Sequence, residues 1–379
     1  MSREVSAARE SRPPSAAARP VGGSRFDAIM AILSAWIVVG LYIDGWSHRR
    51  FPSLESFLTP WHALFYSGYL SMALFTGVTI LQSARKGMPW GQALPLGYGK
   101  TAVGLVVFGA GGVADLVWHE LFGLEKSVDA VISPSHLPIF IGLALIVSGP
   151  LRAAWHRGDG GSRLSVRHDF PLLLSVALFW SVFTFVTQVM SPFVNKYADS
   201  TTWSYMLSLG GPAPELIQVV GISSIVVQTA ILMGLVLLIV GRWQLPFGSF
   251  TLFFSSNLAL VSLLGDQSLL VPLAFPAGLG ADLLLWLLQP STTRIGAYRL
   301  FASAVPVLVW AGYFLYVKAR EGLGWPVQMV AGGIVLAGLT GLLVSYLVLP
   351  PSGGGQDPLG GGINHWLRRS KQGSPEVEP

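Results

Sequence analysis

Continuous apolar runs of about 20 residues, the length that crosses a bilayer as a helix, recur along most of this chain and limit its fold more than any other feature. Only helices and closed barrels satisfy their own backbone hydrogen bonds in lipid. A barrel strand would alternate apolar and polar residues, and these runs do not alternate. Composition agrees. Of 379 residues, 52% are hydrophobic and 11% charged, against about 25% charged in a soluble protein. The expected fold is therefore all-α: a polytopic transmembrane bundle of about ten helices.

Ten apolar segments lie near 27–44, 61–82, 101–120, 136–154, 170–190, 215–240, 247–264, 268–288, 298–317 and 326–349. Only Gly265-Asp266-Gln267 separates the seventh from the eighth, so these two read either as two spans or as a broken, re-entrant pair. Residues 1–25, with five Arg among Ser, Ala and Pro, read as a disordered basic cytoplasmic tail. No small-residue cleavage site follows, so no signal peptide is expected. Residues 350–379 read as a Gly-rich cytoplasmic tail. Between the tails, 26–156 and 169–349 form a four-helix region and six further helices.

Lys and Arg orient the chain, because they accumulate in cytoplasmic loops. With the N-terminus inside, 18 fall in inner segments and 6 in outer loops. This predicts a multi-pass protein of the plasma (inner) membrane with both termini cytoplasmic. No basic stretch is interleaved with aromatics in a soluble domain, so nucleic acid is not an expected partner. The expected partner is the lipid bilayer.

Two stretches of the first half repeat one another. Asp44-Gly-Trp-Ser-His48 is followed by Thr59-Pro-Trp-His62, and Asp115-Leu-Val-Trp-His119 by Ser133-Pro-Ser-His136. A glycine stands six residues beyond the last His in each (Gly68, Gly142). The match predicts an internal duplication of a helix-loop-helix hairpin. Asp and His at i and i+4 share a helix face. Thr59 and Ser133 suit N-caps, and Pro60 and Pro134 suit the first helical position. His62 and His136 then fall in the first turn of the returning helix.

The candidate metal ligands are thus Asp44, His48, His62, Asp115, His119 and His136, all at the outer end. The two hairpins together can gather them around one centre, or form two. Cysteine is absent, so any metal is held by His and carboxylate. Imidazole suits Cu, Zn and Fe alike, and Asp serves as a ligand or as the acceptor that orients a His. The plainer alternative is a pair of Asp–His hydrogen bonds that lock each hairpin. Glu55, Glu120, Glu125, Asp129 and Glu215 are acids near the same end, and Asp282 lies inside the eighth apolar segment.

The two hairpins resemble a group of poorly characterised bacterial polytopic membrane proteins. Their helix ends read like Asp-Gly-x-x-His with Thr-Pro-Trp-His, and Ala-Asp-x-x-Trp-His-x-x-Phe-Gly with Ser-Pro-x-His. Here the likeness covers Asp44 to His62, Ala114 to His136, and Ser148-Gly-Pro-Leu-Arg152. The order Asp, His, His also resembles the metal site in the C subunit of copper membrane monooxygenases, with a different spacing to the last His. Membrane zinc hydrolases of the alkaline ceramidase type use a His-x-x-x-His pair that this chain lacks. The function expected is an integral membrane metalloprotein with an outward-facing His/Asp site. Its chemistry would be copper handling, or metal-dependent oxidoreductase or hydrolase chemistry. A periplasmic or extracellular metal donor, or a small apolar substrate, would be its partner. An ion- or proton-coupled transporter or channel using the Asp/His pairs is the alternative, with Asp282 as its mid-membrane acid.

Overall fold

The computed structural model describes residues 22–51, 59–123, 128–158, 161–265 and 271–351. Helices account for every regular element there, and no strand occurs among the described residues. In chain order they are α1 (Ser24–Arg50), α2 (Pro60–Arg85), α3 (Gly99–Phe122), α4 (Asp129–Ile132), α5 (His136–Val147), α6 (Gly149–His156), α7 (Val166–Val186), α8 (Ser200–Leu209), α9 (Ala213–Arg242), α10 (Ser249–Gly265), α11 (Val271–Leu288), α12 (Ile295–Arg320) and α13 (Val327–Val348).

Each of the ten apolar segments coincides with a helix, the fourth divided between α5 and α6. By length and composition, α1, α2, α3, α7, α9, α12 and α13 can each cross a membrane, and the bent pair α5–α6 can make an eighth span. The chain is a multi-pass membrane protein. Side chains such as Leu74, Val106 and Leu347 are exposed on these helices, which suits contact with lipid rather than water. At 17 residues, α10 reaches about 25 Å at 1.5 Å per residue, short of a ~30 Å hydrocarbon core. Residue 266, and with it the turn between α10 and α11, lies outside the described residues. So do most of the two tails.

α1 packs against α2, α5, α6, α7 and α10, and α3 lies along α5. Glycines set the closeness of the two hairpins. A Cβ on Gly68 would lie 3.1 Å from the Ile37 nitrogen, and one on Gly142 would lie 2.6 Å from the Phe108 nitrogen. Ile37 and Phe108 each stand seven residues before their hairpin's Asp. Likewise Gly40 abuts Phe65 and Gly111 abuts Ile139, again at matched positions. The two hairpins therefore pack through the same contacts in the same register.

The break between α5 and α6 turns the chain by 42°. Pro150 lacks the N–H that would continue the ladder. Arg152 gathers the groups around the break, donating to Leu145 O (2.8 Å), Gly97 O (2.9 Å), Thr101 Oγ1 (2.9 Å) and Ser148 Oγ (2.5 Å). Nearby, Asp27 accepts from Tyr98 Oη and from Arg157 Nη1, each at 2.5 Å. Burial and that carboxylate hold the Tyr98 phenol well above its ordinary pKa, so it stays a donor. These ties close the end of the first helices opposite the two Asp/His repeats.

Asp282, expected as a mid-membrane acid, has a structural role. It is fully buried on α11 and accepts from Phe250 N (3.0 Å), Thr251 N (2.9 Å) and Thr251 Oγ1 (2.7 Å). It caps the first turn of α10 from a neighbouring helix, satisfying donors that a helix start leaves without partners. Asp282→Ala should destabilise the protein by about 2 kcal/mol, the cost of buried unsatisfied donors. Thermal unfolding in detergent would read this as a lowered midpoint, with Asp282→Asn falling between the variant and the wild type.

Candidate metal centre

All six predicted ligands lie at one end of the bundle, but not around one point. Among the described residues, the donor atoms form two groups, Asp44–His48–His62 and Asp115–His119–His136, each with its three atoms within 4.8 Å of one another. Of the two arrangements the repeat left open, one group or two, the donor atoms form two triads. The reason lies in the packing: each hairpin closes its own Asp and His residues on its own helix pair before the hairpins meet.

In the first triad, Asp44 and His48 stand one turn apart on α1, and His62 enters from the first turn of α2. His62 Nδ1 lies 3.3 Å from Asp44 Oδ1, and His48 Nε2 lies 3.9 Å from Asp44 Oδ2. Thr59 caps α2 as expected: its hydroxyl accepts from His62 N at 3.2 Å and lies 3.1 Å from His62 Nδ1. Pro60 occupies the first helical position, so the ring is delivered by a preset start. Asp44 Oδ1 is buried and takes no hydrogen bond. A buried carboxylate oxygen with no donor is costly, and a cation beside it would remove that cost.

The second triad repeats the plan with a tighter second shell. Asp115 is buried on α3. Its Oδ1 lies 3.4 Å from His119 Nε2 and 3.0 Å from His136 Nε2. Regular helix begins at His136 rather than at Pro134. The Ser133 carbonyl nevertheless accepts from His136 N and Leu137 N, so Ser133 still opens the turn. Ser135 contributes what the spacing alone did not reveal. Its hydroxyl donates to Asp115 Oδ1 at 2.8 Å and meets Ser133 Oγ at 2.7 Å. The signal for it was the Ser between Pro134 and His136, where the first hairpin has Trp61.

Two ligands at about 2.1 Å from a tetrahedral ion lie about 3.4 Å apart. Three of the four nitrogen–oxygen separations, 3.3, 3.4 and 3.0 Å, match that edge, and the fourth, at 3.9 Å, is longer. One carboxylate and two imidazoles form a donor set for a divalent transition metal and leave a coordination position open. The two groups are positioned to bind metal.

Both triads open onto one cavity of about 720 Å³. Its walls include Leu41, Phe65, Tyr66, Ile139, Phe140 and Phe185, and it reaches Gln188, Asn195 and Tyr197 on the segment after α7. Tyr66, one turn beyond His62, lies nearly parallel to the His62 ring (12°, centroids 6.2 Å apart). Among the described residues, the other acids near this end do not join the triads. Glu120 and Glu215 are exposed and are not part of the cavity wall. Asp199 caps α8, accepting from Thr201 N and Thr202 N at 3.0 Å. Glu55 and Glu125 lie outside the described residues, as does the side chain of Asp129.

No family model, no curated protein and no solved structure matches this chain. The functional reading therefore rests on the site itself.

Ser135→Ala should weaken metal binding at the second triad by about tenfold or more, as loss of a group that orients a ligand does. Titration of the metal-stripped protein with Zn²⁺ reads this directly. The first triad, which has no such serine, should be unaffected.

Proposed function

We propose that the protein is an integral membrane metalloprotein whose two Asp/His/His triads are transition-metal sites on the outer face of the plasma (inner) membrane. One observation carries the reading. Six ionisable side chains, placed at matched positions of two helix pairs, converge as two three-donor groups on one cavity. Ionisable groups at membrane depth are costly and mark functional sites. Asp44 Oδ1, buried and without a hydrogen bond, lacks the partner that burial calls for. A divalent cation supplies it.

The excess of Lys and Arg in the opposite loops supports an outward site and cytoplasmic termini. The matched glycine contacts, Gly68 with Ile37 and Gly142 with Phe108, support descent of the two hairpins from one duplicated unit. Cu, Zn and Fe all accept this donor set, and Cu²⁺ suits an outer, oxidising compartment without being singled out by the donors. The open positions suit either metal handling, with a periplasmic or extracellular donor, or metal-dependent oxidoreductase or hydrolase chemistry. The transport reading loses its mid-membrane acid, since the carboxylate of Asp282 is taken up by the α10 cap.

Elemental analysis of the purified protein tests the reading. The wild type should carry a transition metal, and His62→Ala, His119→Ala and His136→Ala should each lower the content. A wild type free of metal, both as purified and after incubation with Cu²⁺, Zn²⁺ and Fe²⁺, would refute it. So would equal content in all four proteins.

A further inference from the structure

We propose that the two triads hold one metal ion each and act as a pair on a single ligand. Its oxygen-donor head would meet both metals, and its apolar body would fill the rest of the shared cavity. This rests on the metal reading above and adds the class of molecule the site receives.

The cavity has two characters. The Asp and His side chains of both triads line it. Around them the walls are Leu41, Phe65, Ile139, Phe140 and Phe185. A volume of about 720 Å³ lies within the range of small-molecule sites, which combine apolar walls with a few convergent polar groups. Bare metal handling needs no such chamber; a ligand with an apolar body does.

Charge selects the head. Each triad offers one carboxylate and two neutral imidazoles, so a divalent ion in each leaves positive charge in excess at both. Both groups line the same cavity, Asp44, His48 and His62 from one hairpin and Asp115, His119 and His136 from the other. Two adjacent cationic centres with open positions favour an anionic oxygen donor, such as a carboxylate or hydroxamate.

Tyr66 links the triads. It rises from the first hairpin beside His62, while its hydroxyl approaches α3 at Gly112, where a Cβ would lie 3.0 Å from Tyr66 Oη. Gly112 stands three residues before Asp115, so the bare backbone there admits a phenol next to the second triad. The matching position of the second hairpin, four residues after His136, is Phe140. Tyr66 thus reaches from beside His62 to α3 one turn from Asp115, with an apolar ring as its counterpart in the second hairpin.

The test uses the full-length protein in lipid nanodiscs, loaded with Zn²⁺ and titrated calorimetrically with n-alkyl hydroxamates from two to eight carbons. The expected result is two zinc ions and one hydroxamate per chain. Affinity should rise about three- to fourfold per added methylene as apolar surface is buried. Val220→Trp, at the half-exposed wall of the cavity, should keep both metals and flatten that rise. Two hydroxamates per chain would overturn the proposal. So would affinity independent of chain length, or a rise unchanged by Val220→Trp, which would reflect partition into lipid. Failure to bind zinc at all would sink the metal reading itself, a result distinct from these. The stoichiometry is read on the wild type and needs no variant.

Discussion

Two carboxylates sit buried at one end of a membrane bundle, each faced by two imidazoles, and the functional architecture follows from that. An ionised group away from water needs an opposite charge or a set of donors. Asp27 at the far end has both, through Arg157 and Tyr98. Asp282 has donors, through the start of α10. Asp44 has neither in full, since its Oδ1 takes no hydrogen bond. The same residue type therefore serves three purposes in one molecule, and its surroundings separate them.

The helices position the triads with little freedom. Glycines let α1 approach α2, and α3 approach α5, until backbone meets backbone. Packing this close leaves little room for one helix to slide on the other. A Ser or Thr followed by Pro leads into the returning helix, which starts at Pro60 in the first hairpin and at His136 in the second, so that its first turn delivers a histidine to the Asp. Because all of these devices are local to a hairpin, each hairpin completes its own donor set. Two donor groups result, and both line one cavity.

Much of this was legible in the sequence. The apolar runs gave the helices, because a chain in lipid has few other choices. The Asp-x-x-x-His spacing placed four of the six donors, because i and i+4 share a helix face, and the Thr-Pro-x-His and Ser-Pro-x-His stretches placed the other two. What spacing cannot convey is the distance between hairpins, so one centre and two were equally open. Ser135, Tyr66 and the wall beyond α7 were also missed. Their roles depend on which helices become neighbours. The donors that Asp282 serves are 31 and 32 residues away in sequence, so spacing could not name them either. The α5–α6 bend was foreshadowed by Pro150, but not the way Arg152 gathers the groups around it.

The central claim is that each triad binds a metal through imidazole and carboxylate. X-ray absorption at the metal edge of the purified protein tests it most directly. The account predicts a first shell of nitrogen and oxygen at about 2.0–2.2 Å, the outer-shell scattering of about two imidazoles per metal, and no sulfur. A first shell without imidazole scattering would contradict it.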